Sequence, residues 1–276
     1  MQIIKSNLHI GLKEPFCILH ASDTHITFAD NRDIDRKLEL SQGRKKAFPT
    51  AEENLEFLKE KACKEERTII YTGDLIDFVS ELNFEKAEEF CKSVDIFMSA
   101  GNHEFSHYLG EAKEDAAYRN ISLPRVQRIF KNDIRCSSRI IGGVNFVAID
   151  NSYYLFEKEQ LDFLKKETEK EYPVILCVHV PLYTRELYDF ELKQEDGPAY
   201  LMSVPEELMQ SYTPHSFEQQ KQDEITAEAY EFIVTCKNIK GILAGHLHKD
   251  FEGMIHNNTP QLITGCSTIR EVYIDC

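Results

Sequence analysis

Five short apolar runs in this chain each end in residues that can bind a metal ion. The runs are FCILHAS, RTIIYT, VDIFMSA, PVILCV and GILA, and they lead into DTH, GD, GNHE, a single histidine and GHLH. Short runs rich in Ile, Val, Phe and Tyr, bounded by glycine or polar residues, favour buried β-strands over helices. The repeated arrangement predicts an α/β chain whose reactive side chains lie at strand ends.

Four further segments show the spacing of amphipathic helices. In the clearest, Thr50 and Glu53 form a capping-box pattern, and Leu55 and Leu58 line one face. The predicted helices cover residues 50–65, 83–91, 158–170 and 216–237. Helices that alternate with strands give β-α-β order, which favours parallel strands.

Two regions interrupt this alternation. Residues 134–149 predict two strands around Gly142 and Gly143, and residues 251–274 predict a run of short strands. A mixture of parallel and antiparallel strands follows. Because ligands gather at the carboxyl ends of strands in open α/β sheets, we expect the five polar motifs to converge there.

Length and motif spacing together bear on the number of domains. A chain of 276 residues, 42% of them hydrophobic, can bury a large core, and its length alone permits one domain or two. The candidate ligands run from Asp23 to His248, so a boundary in the middle would divide them. We therefore expect one domain over residues 1–276.

The balance of charge narrows the expected partners. Acidic residues outnumber basic residues by 47 to 32, and the formal charge is -15, so the surface repels polyanions at long range. Nucleic acid is therefore not the expected partner. A small phosphorylated substrate is compatible with this charge, because bound cations invert the local field. The sequence leaves the oligomeric state open.

The chain shows no signal for export or for a membrane anchor. Its opening, MQIIKSNLHIGLKEPF, lacks the apolar core of a signal peptide. The longest apolar stretch, residues 174–183, contains His179 and Pro181 and is shorter than the ~20 residues that span a bilayer. Eight dispersed cysteines form no CxxC pair and favour reduced thiols. We expect a cytoplasmic protein.

The polar motifs share one donor chemistry. Imidazole nitrogen with carboxylate or amide oxygen suits Mn, Fe, Zn or Co, and the absence of cysteine from the set argues against a structural zinc site. Asp74 can give one oxygen to each of two ions. We predict two transition-metal ions, divalent or of mixed valence. The predicted ligands are Asp23, His25, Asp74, Asn102, His179, His246 and His248.

In this order the motifs resemble the signature of the calcineurin-like metallophosphoesterase superfamily, DxH, GD, GNH[DE], H and GHxH. Every position of that signature is matched between Asp23 and His248. The resemblance implies a four-layer α/β/β/α sandwich with two mixed β-sheets. It also implies two metal positions, one formed by Asp23, His25, Asp74 and His248, and the other formed by Asp74, Asn102, His179 and His246.

The same resemblance implies a reaction and a role for His103. In that family the histidine of GNH is not a ligand but faces the phosphate, where it stabilises developing charge or protonates the leaving oxygen. Two metals lower the pKa of a shared water and clamp the attacking and leaving oxygens of an in-line displacement. The chain is therefore interpreted as a metal-dependent phosphoesterase. A metal-bound hydroxide would attack a phosphomonoester or phosphodiester, with His103 and Asp74 as catalytic residues.

Departures from the family pattern narrow the choice of branch. Protein serine/threonine phosphatases continue GD as GDxVDRG, whereas this chain reads GDLIDFVS. Purple acid phosphatases place a metal-binding tyrosine where this chain has Asp77. The pattern is nearest to the bacterial phosphohydrolase and cyclic-nucleotide-phosphodiesterase-like branches. Cleavage of monoesters and of diesters both stay open.

Two other functions are compatible with the same scaffold. A nuclease would show a basic face and usually an added DNA-binding region, and the acidity and length of this chain argue against both. A non-catalytic interaction module would be expected to have lost ligands or the histidine of GNH, and none is missing. The enzyme is the favoured interpretation.

Weaker signals lie in two longer segments. Residues 30–48 hold six basic side chains, which either steer phosphate or, as we favour, form a solvated segment balanced by neighbouring acids. Residues 181–216 are predicted either as a lid or specificity segment over the metals or as a surface excursion. Tyr183, Arg185 and Tyr188 are the candidate contacts of that segment.

Four single residues carry weaker predictions. Glu104 and Asp77 are candidate supports for metal-binding histidines, although a solvated or capping role is favoured for Asp77. His107 and His215 have no motif neighbour and are predicted to lie at the surface.

Overall fold

The chain folds into two mixed β-sheets flanked by helices. The structure is a computed structural model that describes residues 1–105, 122–194, 198–256 and 259–275. The strands are β1 (Gln2–His9), β2 (Phe16–Ala21), β3 (Ile69–Thr72), β4 (Ile96–Ser99), β5 (Cys136–Ile141), β6 (Val144–Ile149), β7 (Val174–Cys177), β8 (Ile239–Ala244), β9 (Phe251–Ile255), β10 (Thr259–Ile263) and β11 (Thr268–Asp275). The helices described here are α1 (Asp35–Ala47), α2 (Ala51–Glu65), α3 (Glu81–Ser93), α4 (Lys158–Thr168), α5 (Arg185–Gln194), α6 (Pro214–Gln220) and α7 (Glu224–Thr235).

Each sheet combines a parallel centre with antiparallel pairing. The first sheet has the order β1-β11-β2-β3-β4, in which β2, β3 and β4 are parallel and β11 is antiparallel to β2. The second has the order β5-β6-β7-β8-β10-β9, in which β6, β7, β8 and β10 are parallel and the edge strands are antiparallel. The predicted mixed sheets are confirmed.

The two sheets pack face to face with helices outside. Strand residues alternate between faces, so Ile70 of β3 and Phe146 of β6 share one core between the sheets. On the outer face of the first sheet, Tyr71 packs in a core with Phe84 of α3. On the outer face of the second, Val147 and its neighbours pack with α4 and α7. The predicted α/β/β/α sandwich is therefore confirmed.

Helix boundaries depart from prediction at two places. The Thr50 side chain accepts no bond from a helix N–H, although Thr50 precedes α2, so the predicted capping box does not form. Instead, Asn54 Nδ2 donates to Thr50 Oγ1 at 3.2 Å. The single helix predicted over residues 216–237 is wrong, because the chain forms α6 and α7 there. Asp223 separates them by accepting a bond from the Thr226 N–H at 2.7 Å, which begins a new helix.

The predicted strand regions agree with the structure. Gly142 and Gly143, with φ of 56° and 84°, form the turn between β5 and β6. These positive angles are ones that glycine adopts without steric cost. Residues 251–274 contain β9 and β10 and nearly all of β11, as predicted.

Two further findings concern membranes and thiols. Among the helices of the described ranges, none has the length and apolar character needed to cross a bilayer. The seven cysteines within those ranges are all free thiols, of which Cys91 and Cys177 are buried and Cys63 is exposed. The eighth, Cys276, lies outside the described residues.

Candidate metal centre

The five predicted motifs follow five parallel strands at their carboxyl ends. Those after β2, β3 and β4 belong to the first sheet, and those after β7 and β8 belong to the second. Backbone bonds tie the loops together: Asp23 N–H donates to Gly73 O at 3.0 Å, and Gly245 N–H donates to His179 O at 3.0 Å. The face-to-face packing of the sheets thus brings distant motifs to one edge.

A first donor group surrounds the Nε2 atom of His25. This atom lies 3.8 Å from Asp23 Oδ1, 3.6 Å from Asp74 Oδ2 and 2.9 Å from His248 Nε2. One ligand atom from each of these four residues lies within 4.8 Å of the others. The spacing is that of side chains directed at a common point.

A second donor group surrounds the Nε2 atom of His179. It lies 3.3 Å from Asp74 Oδ2, 3.2 Å from Asn102 Oδ1 and 3.1 Å from His246 Nδ1. Asp74 therefore belongs to both groups, as the sequence predicted for a bridging carboxylate. The structure brings together all seven predicted ligand side chains, and their binding of metal stays a prediction.

The backbone of this site adopts an unusual conformation. Non-glycine residues seldom have positive φ, and each such residue costs about 1 to 3 kcal/mol unless its surroundings hold it there. Five of the candidate ligands have φ between 52° and 72°: Asp23, His25, Asp74, His246 and His248. Such backbone strain clusters at functional sites, so this concentration marks the loops as a site.

Two motif glycines allow the loops to approach one another. A Cβ atom at Gly101 would overlap the carboxylate of Asp74. A Cβ atom at Gly245 would overlap Ser22 Oγ and the carboxylate of Asp23. Glycine at these positions is therefore required by space around the two carboxylates.

The electrostatics of both groups are set by buried carboxylates. Burial tends to raise the pKa of Asp23 and Asp74, but the neighbouring histidines hold the pKa of both below the usual value. Burial opposes charge on the imidazoles, but their carboxylate partners outweigh it. Hydrogen bonds to Asp23 and Asp77 raise the pKa of His25 to about 10. The charge of Asp74 raises the pKa of His179 to about 9. Each group therefore combines buried negative charge with a requirement for positive charge beside it.

Asp77 orients His25 through Nδ1, the ring nitrogen that does not face the donor group. Its Oδ1 accepts from His25 Nδ1 at 3.0 Å, and Arg44 donates to both Asp77 oxygens at 2.7 and 2.9 Å. Asp77 is fully buried. The solvated or capping role favoured from the sequence is therefore wrong, and the alternative of a support for a candidate ligand is correct.

The second group is supported by neutral partners. His179 Nδ1 donates to Thr72 O at 2.7 Å, and Tyr154 OH lies 2.8 Å from His246 Nε2. Asn151 Oδ1 accepts from the N–H groups of His179 and Val180 at 3.0 Å each, which fixes the loop after β7. These contacts orient the imidazoles without adding a second carboxylate.

Glu104 supports backbone instead of a histidine. Its carboxylate accepts from the N–H groups of Asp74 at 2.9 Å, Leu75 at 2.6 Å and Gly101 at 2.6 Å. Burial, with the nearby charge of Asp74, raises the pKa of Glu104 to about 7. The predicted support of a metal-binding histidine is replaced by a bridge between the loops after β3 and β4.

His103 lies beside the first group at the edge of a cavity. Its Nδ1 donates to Asp77 O at 2.6 Å, its N–H donates to Asp74 Oδ1 at 2.8 Å, and its ring meets the His25 ring edge-on at 4.6 Å. The Nδ1 contact leaves Nε2 as the ring nitrogen that can contact a ligand. His103 is thus placed next to both donor groups without belonging to the shared set around Asp74.

A cavity of about 410 Å³ opens over the two groups. The candidate residues Asp74, Asn102, His103, His246 and His248 are among its lining residues. None of the other lining residues was named as a contact from the sequence: Glu191, Tyr200, His215 and Ser216 belong to the predicted 181–216 segment, whereas Tyr154, Gln219, Leu247 and Lys249 lie outside it.

One of the missed groups had a sequence signal. Strand β6 is a sixth apolar run that ends in polar residues, Asp150 and Asn151, and Tyr154 follows three residues later. The same rule that found the five motifs would have found this one. Tyr200 and His215 carry no comparable pattern, because they reach the cavity from irregular chain or a short helix.

The three candidate contacts of the 181–216 segment are wrong, although other residues of that segment line the cavity. Tyr188 is buried and its hydroxyl donates to Leu208 O, while Arg185 is exposed and pairs with Asp189. Neither they nor Tyr183 line the cavity; Glu191, Tyr200, His215 and Ser216 do so instead. Residues 195–197 of the segment are outside the described ranges, and its role as a lid stays a prediction.

The remaining weak predictions have mixed outcomes. In residues 30–48, Arg32 pairs with Asp30 and Glu85, as expected for a solvated segment, whereas Arg44 reaches the buried Asp77. His215 is exposed, as predicted, but lines the cavity. His107 lies outside the described residues.

Comparison with known proteins gives a consistent result. The family model described as calcineurin-like phosphoesterase matches residues 17–250. No curated protein matches the sequence.

Two solved structures resemble this chain in fold. A dimetal phosphatase from Danio rerio is 14% identical with a TM-score of 0.51, over 91% of this chain and 88% of that one. Purple acid phosphatase PPD1 from yellow lupin (Lupinus luteus) seeds is 14% identical with a TM-score of 0.52, over 93% of this chain and 45% of that one. At these identities the likeness concerns the fold.

Proposed function

This chain belongs to the calcineurin-like phosphoesterase family, and from that premise we propose that it hydrolyses a small phosphoester with the help of two transition-metal cations. The observation that carries the proposal is the position of Asp74. Its Oδ2 lies 3.6 Å from His25 Nε2 in one donor group and 3.3 Å from His179 Nε2 in the other. A carboxylate shared by two sets of imidazoles suits a pair of neighbouring ions.

The residues present fit such cations. Both donor groups combine imidazole nitrogen with carboxylate or amide oxygen, a set that Mn, Fe, Zn and Co accept. Asp23 and Asp74 are buried, and burial of carboxylates is costly unless positive charge compensates them. Asp23, His25, Asp74 and His248 would hold one cation, and Asp74, Asn102, His179 and His246 the other.

Cations of this kind, when bound, activate water and stabilise charge on a phosphoryl group. The chain itself orients the reacting groups. Asp77 O accepts from Nδ1 of the His103 ring and thereby leaves Nε2 for the substrate; when the ring carries a second proton, Nε2 can donate it to a phosphoryl oxygen or to the departing oxygen. His103 is therefore the proposed charge-stabilising or proton-donating residue.

The cavity supports a small substrate. Its volume of about 410 Å³ is within the range of small-molecule sites. Tyr200, His215 and Gln219 also line it, with the Tyr200 ring edge-on to the His246 ring at 6.2 Å, and these residues would contact the part of the substrate beyond its phosphoryl group. The charge of -15 argues against the nuclease alternative. We further propose that residues 1–276 form one domain and that the protein is cytoplasmic.

The test combines metal analysis with hydrolysis. Protein purified with Mn or Zn supplementation is expected to contain about two transition-metal ions per chain and to hydrolyse p-nitrophenyl phosphate or its bis ester. In His103→Ala the metal content is expected to persist while kcat falls by roughly 100-fold to 10,000-fold. Protein free of metal after this treatment would contradict the proposal.

The same experiment separates the alternative of a non-catalytic interaction module. Such a module would bind metal and yet leave phosphomonoesters, cyclic nucleotides and nucleotide diesters intact in a screen with several metals. The screen also determines whether monoesters or diesters are preferred.

A further inference from the structure

Helix α1 is an unusual element because it has no apolar face to anchor it. Among its thirteen residues, only Lys37 is buried. Isolated helices of this length are marginally stable in water, and most helices in proteins are stabilised by packing of an apolar stripe. The stability of α1 must therefore depend on specific contacts made at a few positions.

Two contacts at the carboxyl end of the helix are made with Asp77 and with His25, the candidate ligand that Asp77 supports. Arg44, in the last turn of α1, donates to Asp77 through Nε at 2.7 Å and through Nη2 at 2.9 Å. Phe48, directly after the helix, stacks on the ring of His25 with centroids 4.3 Å apart and planes at 13°. The Arg44 guanidinium in turn lies over the Phe48 ring at 5.0 Å. The carboxyl end of α1 is thus clamped onto His25 and its support.

The carboxylate that anchors the helix also orients the candidate ligand. Asp77 Oδ1 accepts both from Arg44 Nη2 and from His25 Nδ1. A guanidinium fork on a buried carboxylate gives a charge-assisted bond of fixed geometry. The position of α1 and the orientation of His25 therefore share one group and are stabilised together.

We propose that α1 is a clamp for the first cation position, in which Arg44 and Phe48 are positioning residues and docking of the helix and binding of a divalent cation strengthen each other. The inference rests on the proposed function, because it requires His25 to be a ligand. By linkage, a cation that fixes His25 stabilises α1, and loss of the clamp weakens cation binding by the same factor.

The test measures cation affinity and helix protection in the full chain. Mn²⁺ binding is followed by titration calorimetry, and the α1 amides by hydrogen exchange with and without Mn²⁺. In the unaltered protein, Mn²⁺ is expected to slow exchange in α1. Arg44→Gln is expected to weaken one of the two Mn²⁺ sites, the one proposed at His25, by about 10-fold to 100-fold, the usual cost of removing an outer support of a ligand, and to abolish the slowing.

Two further variants make the result specific to the clamp. Lys45→Gln removes the same charge from the next position, where Lys45 pairs with the exposed Glu52, and should leave Mn²⁺ affinity unchanged. Arg44→Lys keeps the charge but lacks the fork, so an intermediate affinity is expected. Equal effects of Arg44→Gln and Lys45→Gln would overturn the proposal, because they would indicate general electrostatics.

The outcomes also separate this inference from the proposed function. If the unaltered protein binds Mn²⁺ and cleaves the test esters while Arg44→Gln does so equally well, only the clamp is overturned. If the unaltered protein binds neither Mn²⁺ nor Zn²⁺, both are overturned.

Discussion

Two buried histidines, His20 and His25, lie only five positions apart and have opposite environments. Both side chains are fully buried. The His20 ring lies between two hydroxyls, with Nε2 2.9 Å from Thr72 Oγ1 and Nδ1 2.8 Å from Thr264 Oγ1. Burial, with the charge of Arg270, lowers its pKa to about 3, whereas carboxylate partners raise the pKa of His25 to about 10.

The cluster around His20 satisfies its own polar groups. Arg270 donates to Thr264 Oγ1 at 3.2 Å, Ser6 Oγ at 2.6 Å and Ile263 O at 2.7 Å, and lies 3.4 Å from the Glu252 carboxylate. This cluster, which we call the inter-sheet cluster, connects β11 of the first sheet with β9 and β10 of the second.

The comparison distinguishes a structural polar cluster from a candidate active site. In the inter-sheet cluster each ring nitrogen of His20 meets a hydroxyl. In the candidate metal centre, imidazoles converge on one another and on buried carboxylates, which is the arrangement expected of a site that a cation completes. We therefore expect changes in the metal centre to affect cation binding and turnover, and changes in the inter-sheet cluster to affect stability.

The largest expected effect is that of Asp74→Asn. The change removes the carboxylate shared by both donor groups, so bound metal should be lost and turnover should fall on the order of 1,000-fold. Metal analysis and hydrolysis of p-nitrophenyl phosphate measure both. Asp95→Asn, at an exposed carboxylate paired with Arg139, is the control and should keep both properties. If Asp74→Asn kept its metal, the candidate metal centre would no longer differ from the inter-sheet cluster in its need for a cation.

The next effect is the loss of stability in Arg270→Ala. The change leaves buried oxygens in both sheets without their donor and creates a cavity, so the free energy of unfolding should fall by about 3 kcal/mol. Urea unfolding measures it. Arg139→Ala, which removes an exposed pair with Asp95, should change that free energy by less than about 1 kcal/mol. If Arg270→Ala instead lowered Mn²⁺ affinity at unchanged stability, the inter-sheet cluster would belong to the functional site.

A smaller effect is expected from the protonation of His20, which makes the free energy of unfolding depend on pH. Its pKa is about 3 in the folded protein and about 6.5 in the unfolded protein. Between these values only the unfolded protein binds the proton, so acidification destabilises the fold, by about 2 kcal/mol at pH 5 relative to neutral pH.

The variant His20→Gln removes this titration while keeping a polar side chain. The difference between its free energy of unfolding and that of the unaltered protein should therefore change by about 2 kcal/mol between pH 7 and pH 5. Urea unfolding at both pH values gives that difference. A difference that does not vary with pH would mean that His20 is not held neutral.

The smallest expected effect is that of Tyr154→Phe. The hydroxyl that contacts His246 Nε2 is lost, and a neutral hydrogen bond contributes about 1 kcal/mol. Affinity for the cation proposed at the second donor group should therefore fall about fivefold with little change in stability. Titration calorimetry with Mn²⁺ measures the affinity, and Tyr172→Phe serves as the matched control. An effect as large as that of Asp74→Asn would indicate that Tyr154 contacts the cation or substrate directly.

The elements predicted with success are those whose signal is local. A buried strand is specified by a short run such as residues 174–177, and the hairpin at Gly142 and Gly143 by its turn residues. The helix prediction over residues 216–237 failed because the apolar spacing continues across the boundary. There the Asp223 side chain accepts a hydrogen bond from the Thr226 N–H, which begins a new helix.

The residues that were missed at the site, or assigned the wrong role, are those whose role depends on distant contacts. Asp77 is separated from His25 by 52 positions, and Tyr154 from His246 by 92. The residues near Asp77 in the sequence are compatible with a solvated carboxylate as well as with a buried one. Only the packing of α1 and β3 beside the loop after β2 decides between these.

The sequence by itself determined the donor residues, their order and their places at strand ends, because residue type and strand periodicity are local properties. The tertiary structure decided which polar groups meet across the two sheets. It gave His20 and His25 different partners, brought Arg44 into contact with Asp77, and placed Tyr200 and His215 beside the cavity. The physical reason is that packing two sheets face to face fixes distances between residues that no local pattern connects.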